Sequence, residues 1–307
     1  QFAQAHIDGA VLLPPAYLCG GIQPAVGKLP DLDSLHAALA SIGYHPDRRI
    51  IAYDDEGGGW AGKLLWVLDV IGHKHWAYLN GGLHAWAGAG KPLSHGSFQA
   101  QDTAAAFTLN INHQAIAEIE DVLQAISDPE QIIWDVRSRD EYLGLRSGSA
   151  RAGHIPGAVN LDWELLKDAS RHLRLRETLA DDLAHLGIDT SVSVITHCQT
   201  HHRSGLSYLV GRLLGINIRA YHGSWAEWGN DPDLPIETPE ELLILASIIE
   251  KETGVAAERE QVASVFVNRL NQGMRLQTDP TVIYALGNEF DGNLTRKNLQ
   301  IDNPYNT

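Results

Sequence analysis

Cysteine is scarce: the 307-residue chain holds Cys19 and Cys198 and no others. Two thiols make no disulfide framework, so a reducing, cytoplasmic setting is the expectation. Positive charge is also short. Lys and Arg total 23 against 38 Asp and Glu, a net charge of −15, and no basic cluster interrupts the deficit. Neither a nucleic-acid partner nor an anionic membrane partner is expected of such a chain. No apolar run is long enough to span a bilayer, and no signal peptide is visible. The rest of the composition, 44% hydrophobic and 20% charged, is that of an ordinary folded protein with length for two or three domains.

Chemistry concentrates around the second cysteine. The run His197-Cys198-Gln199-Thr200-His201-His202-Arg203-Ser204-Gly205 follows a short apolar strand, 192–196, and precedes an amphipathic helical stretch, 206–214. A cysteine between a strand end and a helix N-terminus sits where backbone N–H groups and the helix dipole favour the thiolate. Arg203 closes the loop as a fixed cation, giving Cys-x4-Arg and a six-residue cradle. A buried, inert thiol is the ordinary fate of a lone cysteine. The arginine and the flanking elements argue against it here. His197, Cys198, His201 and His202 also offer metal-ligating atoms, but zinc sites draw on two separated clusters and the second is missing. Neither a metal nor a cofactor is expected. His201 and His202 are expected to line the pocket mouth.

An internal repeat organises the first three quarters. His6-Ile7-Asp8-Gly9-Ala10 recurs as His154-Ile155-Pro156-Gly157-Ala158. The stretch through Ile51 to Gly62 lines up with the one through Ile195 to Gly205, setting Asp55 opposite Cys198 and Trp60 opposite Arg203. Asn80 to Trp86 lines up with His222 to Trp228. Strands alternate with helical stretches in both units, which predicts α/β layers on parallel sheets. With an acid for the thiol and no cation, the first unit is expected to be structural. The second unit has an apolar strand, 131–137, about twenty residues before His154. The counterpart would precede Gln1, so the first unit is expected to be N-terminally truncated.

The loop and the repeat together resemble two-domain rhodaneses, of the bacterial type whose loop reads Cys-Gln-Thr-His-His-Arg. The resemblance implies tandem rhodanese-like three-layer α/β/α domains with parallel sheets. It implies a sulfurtransferase that moves a sulfane sulfur from thiosulfate or a similar donor to cyanide or a thiol through a Cys198 persulfide. Arg203 would be catalytic with Cys198. Gln199, Thr200, His201, His202 and Ser204 would form the substrate-binding loop. Related phosphatases of the Cdc25 type carry Cys-x5-Arg, and the shorter loop here favours sulfur over phosphate. Asp135 and Arg137 match an Asp-x-Arg found in rhodaneses and are expected to pair and brace the sheet. Mammalian-type enzymes place a substrate-contacting Arg just before the following aromatic, where this chain has Glu141. Trp225 and Trp228 are expected in the core rather than in a pocket wall. The partners implied are small-molecule donors and acceptors, and the protein is expected to be a monomer.

The last seventy residues change character. Leu242, Leu243, Ala246 and Ile249 form one helical stripe, and Val262, Val265, Phe266 and Leu270 a second. Asp279-Pro280 reads as N-cap and first helical residue. The segments Gln277 to Thr281 and Pro304 to Thr307 resemble signatures of YceG-like endolytic murein transglycosylases. By that resemblance Glu250 would be the acid/base of glycan cleavage, on a helix edge where desolvation would raise its pKa. That family has a membrane anchor, a small preceding domain and further catalytic sequence. The segment is therefore expected to be a partial, mostly helical and inactive appendage.

The expected division is 1–94, a truncated non-catalytic domain; 95–112, a linker; 113–237, the catalytic domain; and 238–307, the transglycosylase-like segment. Three functions compete: sulfur transfer through Cys198, glycan cleavage through Glu250, and a non-catalytic binding or sensing module. The intact Cys-x4-Arg loop favours the first.

Overall fold

A computed structural model describes residues 2–96, 106–271, 274, 276, 278–287 and 290–298. Gln277, the stretch 304–307, part of the expected linker, and the side chains of Leu242, Leu243 and Leu270 lie outside the described residues. The described chain divides into two compact units, Gln1–Ile236 and Glu237–Thr307.

The first unit contains both repeats. Its larger sheet is built on β4 (Gln131–Asp135) and β8 (Ser193–His197), parallel and in register from Gln131 opposite Ser193 to Asp135 opposite His197. With β3 (Ile116–Ala117), β9 (Asn217–Tyr221) and β5 (Val159–Asn160) the strand order is β3-β9-β8-β4-β5, all parallel. Such a sheet is covered on both faces, which is why its strands read as apolar runs. Ile133 and Ile195 face α4 (Ile119–Ile126) and α8 (Ser224–Trp228) in one buried cluster. Trp134, Val194 and Ala220 face α6 (Leu179–Ala184) and α7 (Arg203–Leu213) in another. Trp225 and Trp228 are fully buried core, not pocket wall. A four-residue α5 (Arg139–Tyr142) follows β4, and β6 (Lys167–Asp168) pairs with β7 (Arg174–Leu175) as a short antiparallel ribbon.

The first repeat is smaller. β1 (Ile50–Ala52) and β2 (Trp76–Tyr78) form a two-stranded parallel sheet, with α1 (Leu32–Ser41), α2 (Gly59–Val70) and α3 (Gly82–Gly88). Among the described residues no strand takes the place beside β1 that β4 takes beside β8. Ile51 is consequently 62% exposed, and a cavity of about 680 Å³ opens along Ile50 to Asp54.

The repeats join through α2 and α7. A Cβ on Gly62 would lie 2.3 Å from the Gly205 carbonyl oxygen, and one on Gly205 would lie 2.5 Å from the Lys63 nitrogen. Equivalent glycines thus let the two helix backbones meet. Leu65, Trp66, Leu206 and Leu209 form one buried cluster around that crossing, each side chain stabilising by about 1.5–3 kcal/mol. Asp69 on α2 accepts from Tyr208 at 2.8 Å and Arg212 at 2.7 Å on α7. The described part of the linker is docked rather than loose. Phe107 stacks on His36 at 4.2 Å and meets Tyr44 edge-on at 4.8 Å.

The second unit holds α9 (Pro239–Glu252), α10 (Arg259–Asn271) and α11 (Asp279–Leu286), with Ile248, Phe266 and Val282 buried. The expected second stripe is split: Phe266 is buried, but Val265 is 53% exposed. The N-cap of α11 is Thr278, one residue before Asp279, so Pro280 falls in the first turn behind Asp279. The Thr278 hydroxyl is drawn to Glu252 at 3.0 Å instead of capping the helix. No described helix is long and apolar enough to cross a membrane.

Candidate active site

The parallel register carries β8 to His197, so Cys198 leaves the sheet at its C-terminal edge, where α7 begins five residues later. Cys198 is 1% exposed. Burial pushes its thiol up. The Arg203 charge, the Ser204 hydroxyl and N–H, and His202 outweigh burial and bring it down to about 7. The Ser204 hydroxyl lies 3.4 Å from the sulfur. Near neutral pH a large share of this thiol is therefore the nucleophilic thiolate.

Arg203 is fixed from outside the loop. Its guanidinium donates to both carboxylate oxygens of Glu141, at 2.7 and 2.8 Å. Glu141 is held in turn by a capping box at the start of α5. It accepts from the Ser138 N–H at 3.1 Å and the Ser138 hydroxyl at 2.8 Å. Burial pushes the Glu141 carboxyl up, but Arg203 and Ser138 prevail and hold it at about 2. Glu141 thus positions the loop cation where mammalian-type enzymes have an Arg. Its partner is 62 residues away in sequence, and only the capping-box spacing from Ser138 hinted at order here.

Asp135 and Arg137 form a fully buried ion pair at 2.6 Å. Arg137 also donates to the Gly153 carbonyl at 2.8 Å and lies 4.2 Å from the Trp225 ring centre. His197, 3.8 Å from Asp135, is pushed down by burial, against the pull of that carboxylate. These groups lie under the loop and brace the β4–β8 edge.

Ser224 ties the loop to the turn after β9. Its hydroxyl accepts from the N–H groups of Cys198 at 3.3 Å and His201 at 3.1 Å and donates to the Tyr221 carbonyl at 3.0 Å. Two of the cradle donors are thereby spent on holding its shape. The Cys198 and Gln199 carbonyls accept from Trp225 and Ala226 at 2.9 and 2.8 Å. The Gln199 amide donates to Ser149 at 3.0 Å. Thr200 is roofed by the first repeat: a Cβ on Gly27 would lie 1.8 Å from the Thr200 carbonyl oxygen.

The two loop histidines part company, correcting the expectation that both line the mouth. His201 has φ of 52°, is fully buried, and turns its ring onto the edge of Trp66 at 4.4 Å. His202 stays partly exposed, stacked on Trp60 at 4.3 Å and bonded to Glu56. Trp163 and Lys167 flank it, the Lys167 amine 3.5 Å over the Trp163 ring and 3.1 Å from the Glu56 carbonyl. The mouth is therefore made by both repeats. Among the described residues no three His, Cys, Asp or Glu side chains converge as metal ligands.

In the first repeat the matching loop is filled by its own chain. The filler is Asp54, one residue before the Asp55 aligned with Cys198. Its carboxylate accepts from the N–H groups of Gly57, Gly58 and Ala61 at 3.0, 2.8 and 3.0 Å. The left-handed Gly57 and Gly58 make the turn that brings those N–H groups inward. A cradle already occupied by a carboxylate has no room for an anionic sulfur.

Rhodanese-like domain models match residues 1–89 and 118–231. The chain belongs to the rhodanese-like family. It is 42% identical over 238 residues to the thiosulfate sulfurtransferases of Pseudomonas aeruginosa and of Azotobacter vinelandii, covering 77% of this chain and 87% of each relative. The wild-type structure of EanB shares the fold with a TM-score of 0.67 at 24% identity, over 76% of this chain and 60% of that one. A YceG-like family model matches residues 213–307, less than a third of the chain. The environment of Glu250 does not match its expected role. Its side chain is 71% exposed and lies 3.8 Å from Arg259, not on a buried helix edge.

Proposed function

We propose that this rhodanese-like sulfurtransferase carries a sulfane sulfur on Cys198. The thiolate attacks the outer sulfur of thiosulfate, forming Cys198–S–S⁻ and expelling sulfite. Cyanide or a thiolate then takes the outer sulfur and restores the Cys198 thiolate. Atoms and charge balance in both steps without a cofactor. Arg203 faces the anionic sulfur in each state, and Glu141 keeps it there. The loop of Gln199 and Thr200 with His202 receives the donor, and His201 and Ser204 serve the sulfur from below. The observation that carries the reading is a buried thiol lowered to about 7 by Arg203 and Ser204 at the start of a helix. Support for thiosulfate as donor comes from the named activity of the relatives 42% identical to this chain.

The domain division 1–94, 95–112, 113–237 and 238–307 belongs to the same proposal, with the first domain roofing the site and the last taking no part. Two free cysteines fit a reducing, cytoplasmic setting. The test is thiocyanate production from thiosulfate and cyanide. The full chain turns over, and Cys198→Ser does not. Equal turnover by the two would overturn the proposal.

A further inference from the structure

Ser204 Oγ has one proton and two neighbours that ask for it. Cys198 Sγ lies 3.4 Å away and His201 Nδ1 2.9 Å away. If Nδ1 carried a lone pair, the imidazole would compete with the sulfur for that proton, and it would win on distance. If Nδ1 carries a hydrogen, the ring donates to Oγ and the hydroxyl proton is left for the sulfur.

The surroundings of the ring select the second state. His201 is fully buried, and its Nε2 has no hydrogen-bond partner among the described residues. An unmet N–H and an unmet lone pair both cost free energy there. A buried N–H without a partner is the rarer of the two, so the hydrogen belongs on the nitrogen that has an acceptor. Lys63, fully buried on α2, donates to the Gly27 carbonyl at 2.8 Å and to Cys19 Sγ at 3.2 Å, and meets no carboxylate among the described residues. By contrast Arg203 is bonded to Glu141, and Arg137 to Asp135. Burial pushes the Lys63 amine below the ordinary lysine range, against the pull of Cys19 and Cys198. Burial first, then Lys63, His222 and His202, push His201 well below the ordinary histidine range. His222 itself accepts from the Leu29 N–H at 3.0 Å and pairs with Glu118 at 3.1 Å. The ring is therefore neutral, with its one hydrogen on Nδ1, where Ser204 Oγ at 2.9 Å accepts it, and with Nε2 bare.

We propose that His201 is a positioning residue held as the neutral Nδ1–H tautomer, which donates to Ser204 Oγ and commits the Ser204 proton to Cys198 Sγ. Ser204 then acts on the sulfur directly, and the chain Nδ1–H···Oγ–H···Sγ leaves neither oxygen nor sulfur in competition. The first repeat contributes through Lys63 and through Trp66, whose ring closes the space around the imidazole. The sequence places these groups 138 and 135 positions before His201, so no local motif joins them. The inference rests on the sulfur-transfer reading of Cys198, but its readouts do not need turnover.

The test combines ring-nitrogen NMR on the wild-type chain with the pH dependence of Cys198 alkylation by iodoacetamide. The expected spectrum shows His201 protonated at Nδ1, bare at Nε2 and unchanged between pH 6 and 8. In Ser204→Ala the alkylation midpoint rises by about one unit. His201→Asn presents an amide N–H near the Nδ1 position and keeps the midpoint close to wild type, whereas His201→Gln raises it like Ser204→Ala. A His201 protonated at Nε2, or a Ser204→Ala midpoint equal to wild type, overturns the proposal. If the wild-type thiol takes up no sulfur from thiosulfate, the functional reading fails instead, whatever the tautomer.

Discussion

At the residue scale the site is a set of charges that cancel in pairs and leave the sulfur served. The Cys198 thiol sits at about 7, below its unfolded value. Alkylation of wild type should therefore rise through pH 7 and level off above 8. By linkage, ionised Cys198 stabilises the native state fully above about 9, and that stabilisation is lost as pH falls through about 7. A urea midpoint that falls from pH 9 to pH 6 in wild type, but less in Cys198→Ser, would verify the sign. Arg203 is asked for shape as well as charge, since its two N–H groups meet both Glu141 oxygens. Arg203→Lys keeps the charge and loses the fork, so alkylation should persist while turnover drops by at least about tenfold. Wild-type turnover in that variant would show that other contacts hold the loop. The cysteine, the arginine and their spacing were legible in the sequence because they are contiguous. Glu141 was not, because its role arises from a contact across 62 residues. His201 was misread because a left-handed φ, invisible in composition, turns it inward while His202 stays at the mouth.

At the scale of elements the strand–loop–helix order was readable, and its boundaries moved by a few residues. The strand expected at 192–196 is Ser193–His197, and the helix expected from 206 begins at Arg203. Helix ends follow loop contacts that periodicity does not record. The repeat alignment holds at the glycines of the α2–α7 crossing, and in the vestigial loop Asp54, beside the aligned Asp55, fills the cradle. Two glycine contacts make the element-scale prediction. The Gly27 approach to Thr200 is tighter than any side chain permits. Gly27→Ala should displace the loop, lowering turnover at least severalfold while the far-ultraviolet spectrum stays native. Gly205→Ala strikes backbone on α2 and should cost about 1–3 kcal/mol in urea unfolding, as overpacking does. Unchanged stability in Gly205→Ala would mean the α2–α7 crossing is looser than described.

At the scale of the whole molecule, two repeats make one unit, with the Cys198 loop on the second and its roof and mouth partly on the first. The sequence led to an expectation of tandem rhodanese-like domains, and the family match shows them. It could not predict that the first repeat supplies Gly27, Lys63, Trp60 and Glu56 to the neighbourhood of Cys198, because pairing between repeats has no sequence signature. The tail forms its own compact unit from Glu237 onward. A chain ending at Glu237 should accordingly keep full sulfur transfer per thiol, and Glu250→Gln should leave it unchanged. A truncated chain that loses activity while remaining folded would assign the tail a part in catalysis. The central claim is that Cys198 itself holds the transferred sulfur, and intact-mass spectrometry with peptide mapping tests it most directly. After thiosulfate treatment the chain should gain about 32 Da, located on Cys198 and removed by cyanide. Added mass on Cys19, or uptake and release that survive in Cys198→Ala, would contradict it.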